Sequence, residues 1–173
     1  RSTLLASSAA SDVYKRQYEN GEDREARRNM MIASTIGGMA FISSNVGAVH
    51  AFAETVGAWF DTPHGVANSL FLPYIMEFNI PACPERFADI ADAMGIEREE
   101  SMSDEQYALK AVEYVKALNR KLNIPTIKEI KGITEERFEA IAERSANNVL
   151  SNDNARKITK EDYLELLKKA YNE

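Results

Sequence analysis

The sequence predicts an all-α fold, a helical bundle of six or seven helices. Three observations carry that prediction. Apolar residues recur at helical spacing along most of the chain, caps and prolines stand where helices would start and stop, and no alternating strand pattern of useful length or glycine-rich nucleotide loop occurs.

Composition narrows the classes further. A chain of 173 residues, 45% of them hydrophobic, is long enough for one ordinary domain with a real core. Its 21 basic and 27 acidic residues are interspersed and sum to a net charge of -6, so no concentrated basic face is expected and no nucleic-acid partner. The single cysteine, Cys83, rules out an internal disulfide and fits a reducing compartment. It follows Pro81 in a turn and reads as small apolar filler. No apolar run approaches the roughly 20 residues that cross a bilayer, so no membrane partner and a soluble, cytoplasmic protein are expected.

The first seventeen residues, RSTLLASSAASDVYKRQ, differ from the rest. They resemble the translated end of a transposase-type sequencing adapter, SSAASDVYKRQ above all. Residues 1–17 are therefore expected to be a non-native tail without fold information, and 18–173 a helical domain, in partial form.

The first helix is EDREARRNMMIASTIGGMAFIS, with Ala26, Met30, Ala33, Ile36, Gly37 and Ala40 at helical spacing. Its half from Ala33 to Phe41 is nearly free of charge, which predicts a helix enclosed by neighbours. A second runs from about Gly47 to Val56. Thr62 followed by Pro63 marks the start of a third, which carries Val66, Ala67, Leu70, Phe71, Tyr74 and Ile75 and tolerates Pro73 as a kink. Pro84 opens the next, with Phe87, Ile90, Ala91 and Met94 on one face and Gly95 as its stop. Ser103 with Gln106 forms a capping-box pattern before a long amphipathic helix that reaches about Leu122 and ends before Pro125. Thr134 caps EERFEAIAERSANN, and Thr159 with Asp162 begins KEDYLELLKKAY.

Both histidines of the chain, His50 and His64, fall in AVHAFAETVGAWFDTPHGVANSLFLP. His50 lies among small apolar residues, and His64 lies in a first helical turn, where the helix dipole favours the neutral ring. The thirteen residues between them, AFAETVGAWFDTP, can close one helix and open another, turning both rings toward one point. Two neutral imidazoles suit a divalent metal, although a closed site needs further ligands from elsewhere. The same positions also suit a helix cap and a core histidine bonded to a backbone carbonyl, and spacing does not separate these alternatives.

The stretch GAVHAFAETVGAWFDTPHGVANSLFLPYIMEFN resembles the signature of the iron-containing, or group III, alcohol dehydrogenases. Gly47, His50, Ala51, Ala53, Gly57, Pro63, His64, Gly65 and Asn68 stand where that pattern wants them, and the similarity spans essentially all of Tyr18 to Glu173. It covers only the C-terminal helical domain of the family. The resemblance implies that His50 and His64 are two of four metal ligands, for Fe2+ or Zn2+, with an aspartate and a histidine contributed by a helix that this chain lacks. It implies NAD or NADP, bound mainly by an absent N-terminal α/β domain, and a small alcohol or aldehyde substrate. Phe41 and Val46 would line the substrate pocket, with Trp59 and Phe60 as further wall or plain core. Hydride transfer between alcohols and aldehydes or ketones, in a homo-oligomer when full length, is the implied activity; the 173-residue chain alone would bind metal weakly and be inactive.

Two departures from the pattern stand out. Glu54 replaces a frequent non-ligand histidine and is a candidate for proton transfer, or for orienting His50 one turn away. NNVLSNDNAR places Asn148, Leu150 and Ala155 where Asp-x-Cys-Thr-x-x-Asn-Pro-Arg is common. The reading from another class is a non-catalytic helical interaction module derived from the same fold, with the histidines as relics.

Overall fold

The computed structural model describes residues 15–173, so most of the expected 1–17 tail lies outside the described residues. After a short helical stretch over 15–19 come seven α-helices: α1 (Arg24–Ser44), α2 (Ala48–Phe60), α3 (His64–Asn79), α4 (Pro84–Ala93), α5 (Asp104–Lys121), α6 (Phe138–Ala146) and α7 (Lys160–Asn172). No strand occurs among the described residues, and the fold is all-α as the sequence predicts. The helices group into two compact units, one formed by the chain up to Ser44 with Cys83–Ala111, the other by Asn45–Ala82 with Val112–Glu173.

The first unit begins with a contact the sequence reading missed. Arg16 pairs with Asp23 at 2.8 Å and Glu25 at 3.1 Å, while Asp23 Oδ1 accepts the Ala26 N–H at 3.0 Å and caps α1. Arg16 thus lies against the start of α1. A larger correction concerns the second half of α1, expected to be enclosed. Met31 is 70% exposed, Met39 68% and Ile42 78%, and a Cβ on Gly37 or Gly38 would meet nothing. The helix forms because its hydrogen bonds are internal and its spacing is regular, but no residue of its own unit covers its apolar face. In α4 the buried residues are Ala88, Ala91 and Ala93, whereas Ile90 is exposed. The expected face is therefore shifted: two alanines three residues apart allow the closest packing, and Ile90 points about 100° away from Ala91. Gly95, at φ +72°, ends α4 as predicted, and Ser103 and Gln106 make both bonds of a capping box at 3.0 and 3.2 Å.

The second unit holds the main core. Phe52 of α2 stacks on Phe71 of α3 with ring centroids 4.1 Å apart and meets Tyr163 of α7 edge-on at 4.7 Å. Ala48, Ala51, Ala53 and Ala67 are fully or almost fully buried, so α2 and α3 approach closely. A chain of buried hydroxyls links α2, α6 and α7. Thr55 donates to the Ala51 carbonyl at 3.0 Å and accepts from Ser145 at 3.2 Å; Ser151 donates to the Ser145 carbonyl at 2.7 Å and so must accept from Tyr163 at 2.6 Å. Burial pushes the Tyr163 phenol up to about 12. Pro73 lies inside α3 and deprives the Ser69 carbonyl of its helical donor; Asn119 of α5 supplies one at 2.6 Å.

Several boundaries move. Helix α2 continues to Phe60, past the expected Val56, and Asp61 closes it in the left-handed region at φ +50°. Helix α3 starts at His64 with Pro63 as its cap residue, and Thr62 makes no cap; its hydroxyl faces the Phe60 carbonyl at 3.5 Å. Thr134 likewise makes no side-chain cap, because the segment opens with a 3-10 turn at Glu135–Arg137 before α6. Thr159 and Asp162 form the predicted capping box of α7.

Candidate metal centre

The geometry of the site starts at Gly47, the residue before α2. A Cβ there would lie 3.0 Å from Asn154 Oδ1 and 3.3 Å from the Asn154 Cα, so only glycine allows this approach without a shift. The approach is used: Asn154 Oδ1 accepts the Ala48 N–H at 3.3 Å, supplying the first turn of α2 with an acceptor. Asn154 is itself fixed by a reciprocal amide pair with buried Asn79, at 2.7 and 3.1 Å, and by donation to the Arg156 carbonyl at 2.7 Å. His50 follows three residues after Gly47, its N–H bonded to the Gly47 carbonyl at 3.0 Å.

His64 is the first residue of α3, and the two imidazoles meet with centroids 5.2 Å apart and planes inclined by 52°. Burial and the neighbouring His64 hold the His50 ring below the ordinary histidine value, while Glu54 pulls the other way. A neutral His50 with its lone pair free is the form that binds metal. Asn68, one turn along α3, places Nδ2 3.0 Å from His64 Nε2 and donates to the His64 carbonyl at 2.9 Å. Its Oδ1 is buried and without a partner among the described residues.

The two imidazoles converge, while the unpartnered Asn68 Oδ1 lies on the side of its amide away from His64. Among the described residues no group of three His, Cys, Asp or Glu side chains could hold an ion. The chemistry of two neutral imidazoles this close suits a divalent ion, to which they would be a partial donor set.

The remaining expected site residues are placed as follows. Glu54 is exposed, and its Oε2 accepts from Asn148 Nδ2 at 2.7 Å, while Asn148 Oδ1 takes the Leu150 N–H at 3.0 Å. The two departures from the family pattern are therefore in contact with each other. Phe41 is 52% exposed on α1, and Val46 is half-buried in the loop before α2. Trp59 and Phe60 lie beneath cations, Arg144 5.4 Å from the Trp59 centroid and Arg137 5.8 Å from that of Phe60. Asn154 and Asn79 carry no motif that would have revealed them from the residues alone. Asn68 carries one, its four-residue offset from His64 on a helix.

A model described as "Fe-containing alcohol dehydrogenase family, C-terminal" matches residues 5–171. The chain belongs to the iron-containing alcohol dehydrogenase family. It is 38% identical over 149 residues to a lactaldehyde reductase of Escherichia coli, covering 86% of this chain and 39% of that protein. With a 1,3-propanediol dehydrogenase of Citrobacter freundii it shares 36% over 151 residues, 87% of this chain and 39% of the other. Among solved structures, a 1,3-propanediol oxidoreductase superposes with a TM-score of 0.89 at 32% identity, over 97% of this chain and 44% of the other. An alcohol dehydrogenase from Oenococcus oeni does so at 0.86 and 38%, over 98% and 43%. The chain thus spans about two fifths of the length of these relatives. No helix among the described residues is long and apolar enough to cross a membrane.

Proposed function

We propose that this chain is the metal-holding helical part of an NAD(P)-linked alcohol dehydrogenase that interconverts alcohols and aldehydes or ketones. The observation that carries the reading is the convergence of His50 and His64, the only two histidines of the chain, to a 5.2 Å centroid separation. Its relatives support the substrate class, being named for lactaldehyde, 1,3-propanediol and, with NADPH, butanol.

In this reading His50 and His64 supply two ligands to Fe2+ or Zn2+, and the other two come from sequence outside this chain. An ion held by His50 and His64 would supply Lewis acidity, and a bound nicotinamide would supply hydride chemistry, to a small alcohol or carbonyl substrate. The chain's own contribution is orientation. Asn154 and Gly47 set the first turn of α2, Asn68 anchors the His64 ring, and the neutral state of His50 keeps its lone pair free for the ion. Glu54, held by Asn148 one turn from His50, is the group to accept or return a proton. Phe41 and Val46 each retain accessible surface for a small alcohol. The nucleotide is bound mainly by residues outside this chain, and the full-length enzyme is a cytoplasmic homo-oligomer. The 173-residue chain by itself holds metal weakly and turns over nothing.

The open apolar face of α1 supports this reading over a free-standing interaction module, for which a patch of that kind would be a self-association hazard. The test is His64→Ala in the full-length protein. Bound metal and turnover are expected to disappear together; near-normal turnover in that variant overturns the assignment.

A further inference from the structure

The Asn68 amide contacts two atoms of one residue, and the pair of contacts fixes more than either does alone. Its terminal nitrogen lies 2.9 Å from the His64 carbonyl oxygen and 3.0 Å from His64 Nε2. A carbonyl oxygen can only accept, so the amide must present N–H on this side; the opposite amide orientation would set two acceptors 2.9 Å apart. The second amide hydrogen then faces His64 Nε2, which must be the unprotonated nitrogen of a neutral ring. The ring proton is left on Nδ1. The amide oxygen turns to the other side, where it is buried without a partner among the described residues. An unpaired buried acceptor is costly, so the orientation is held by what the nitrogen gains.

We propose that Asn68 is a positioning residue that fixes the His64 tautomer, keeping the proton on Nδ1 and holding the Nε2 lone pair in reserve for a cation. A cation arriving at Nε2 would replace the hydrogen bond from the Asn68 N–H with a coordinate bond and find the ring already turned. The use as a ligand rests on the metal-binding reading above; the tautomer does not.

The test is nitrogen-15 NMR of the histidine rings in the metal-free 173-residue chain, about two pH units above the ordinary histidine pKa so that the rings are neutral. His64 is expected as a single Nδ1–H tautomer. In Asn68→Ala that dominance is lost, and in Asn68→Asp, where a carboxylate can only accept, the proton moves to Nε2. A wild-type His64 protonated on Nε2 overturns the proposal, as does an Nδ1–H tautomer that persists unchanged in both variants. A purely structural role for Asn68 would move neither population selectively. Because no metal is present, the result is independent of whether the full-length protein retains metal through His64, which the His64→Ala experiment decides.

Discussion

The second half of α1 and the facing surfaces of α2 and α3 are built from the same material, and they end in opposite places. Both are runs of small and apolar residues with almost no charge. In α2 and α3 the alanines are buried and Phe52 and Phe71 stack at 4.1 Å; in α1 Met31, Met39 and Ile42 stand in solvent. Apolar patterning states that a face requires cover, but what covers it has to be found elsewhere in the chain or beyond it. The histidine pair sits at the edge of the covered region, with His50 half-buried and His64 exposed.

Substitutions sharpen that contrast, beginning with the covered region. Phe52→Ala removes a ring fully buried between Phe71 and Tyr163 and is expected to cost about 3 to 5 kcal/mol in urea unfolding. A loss below about 1 kcal/mol would show that this core is not the stabilising centre.

Next comes the buried hydroxyl chain. Because the Tyr163 phenol is raised to about 12, an unfolded chain gives up that proton near pH 10 while the folded one keeps it. This group's share of stability is whole below about pH 10 and is lost between about 10 and 12, by roughly 2 to 3 kcal/mol. Tyr163→Phe should remove that part of the alkaline slope and leave the parts due to Tyr74 and Tyr107, which burial raises likewise. An unchanged slope would mean that Tyr163 already meets water.

Asn154→Ala breaks the reciprocal pair with Asn79 and the cap of Ala48 together, and should lower stability by about 1 to 2 kcal/mol. The smallest effect belongs to the uncovered region. Ile42→Ser and Met39→Gln should leave unfolding within about 0.5 kcal/mol of wild type, yet reduce self-association seen by sedimentation. A large loss of stability in either would show that the α1 face is packed after all.

The same contrast marks how far the sequence could be read. Local signals were legible. The Ser103–Gln106 and Thr159–Asp162 capping boxes, the Gly95 stop and the all-α class depend on residues three or four apart. Thr62 and Thr134 resemble caps equally well but make none, since a proline cap residue and a 3-10 turn altered the local geometry. In the site, the convergence of His50 and His64 was inferable from their placement in two successive helix starts. Long-range partners were not. Asn154 reaches Ala48 across 106 residues and Asn148 reaches Glu54 across 94, and no spacing rule in a single chain encodes such pairs. The openness of α1 was equally illegible, because composition is blind to what is absent.

The most direct measurement of the central claim is a Zn2+ titration of the 173-residue chain followed through the ring nitrogens of its two histidines. If His50 and His64 form one metal-holding pair, both sets of resonances move together with a single saturation point, and His50→Ala weakens the response at His64. Independent titrations of the two rings, or no response at millimolar zinc, would contradict the account and leave the pair as a packing contact.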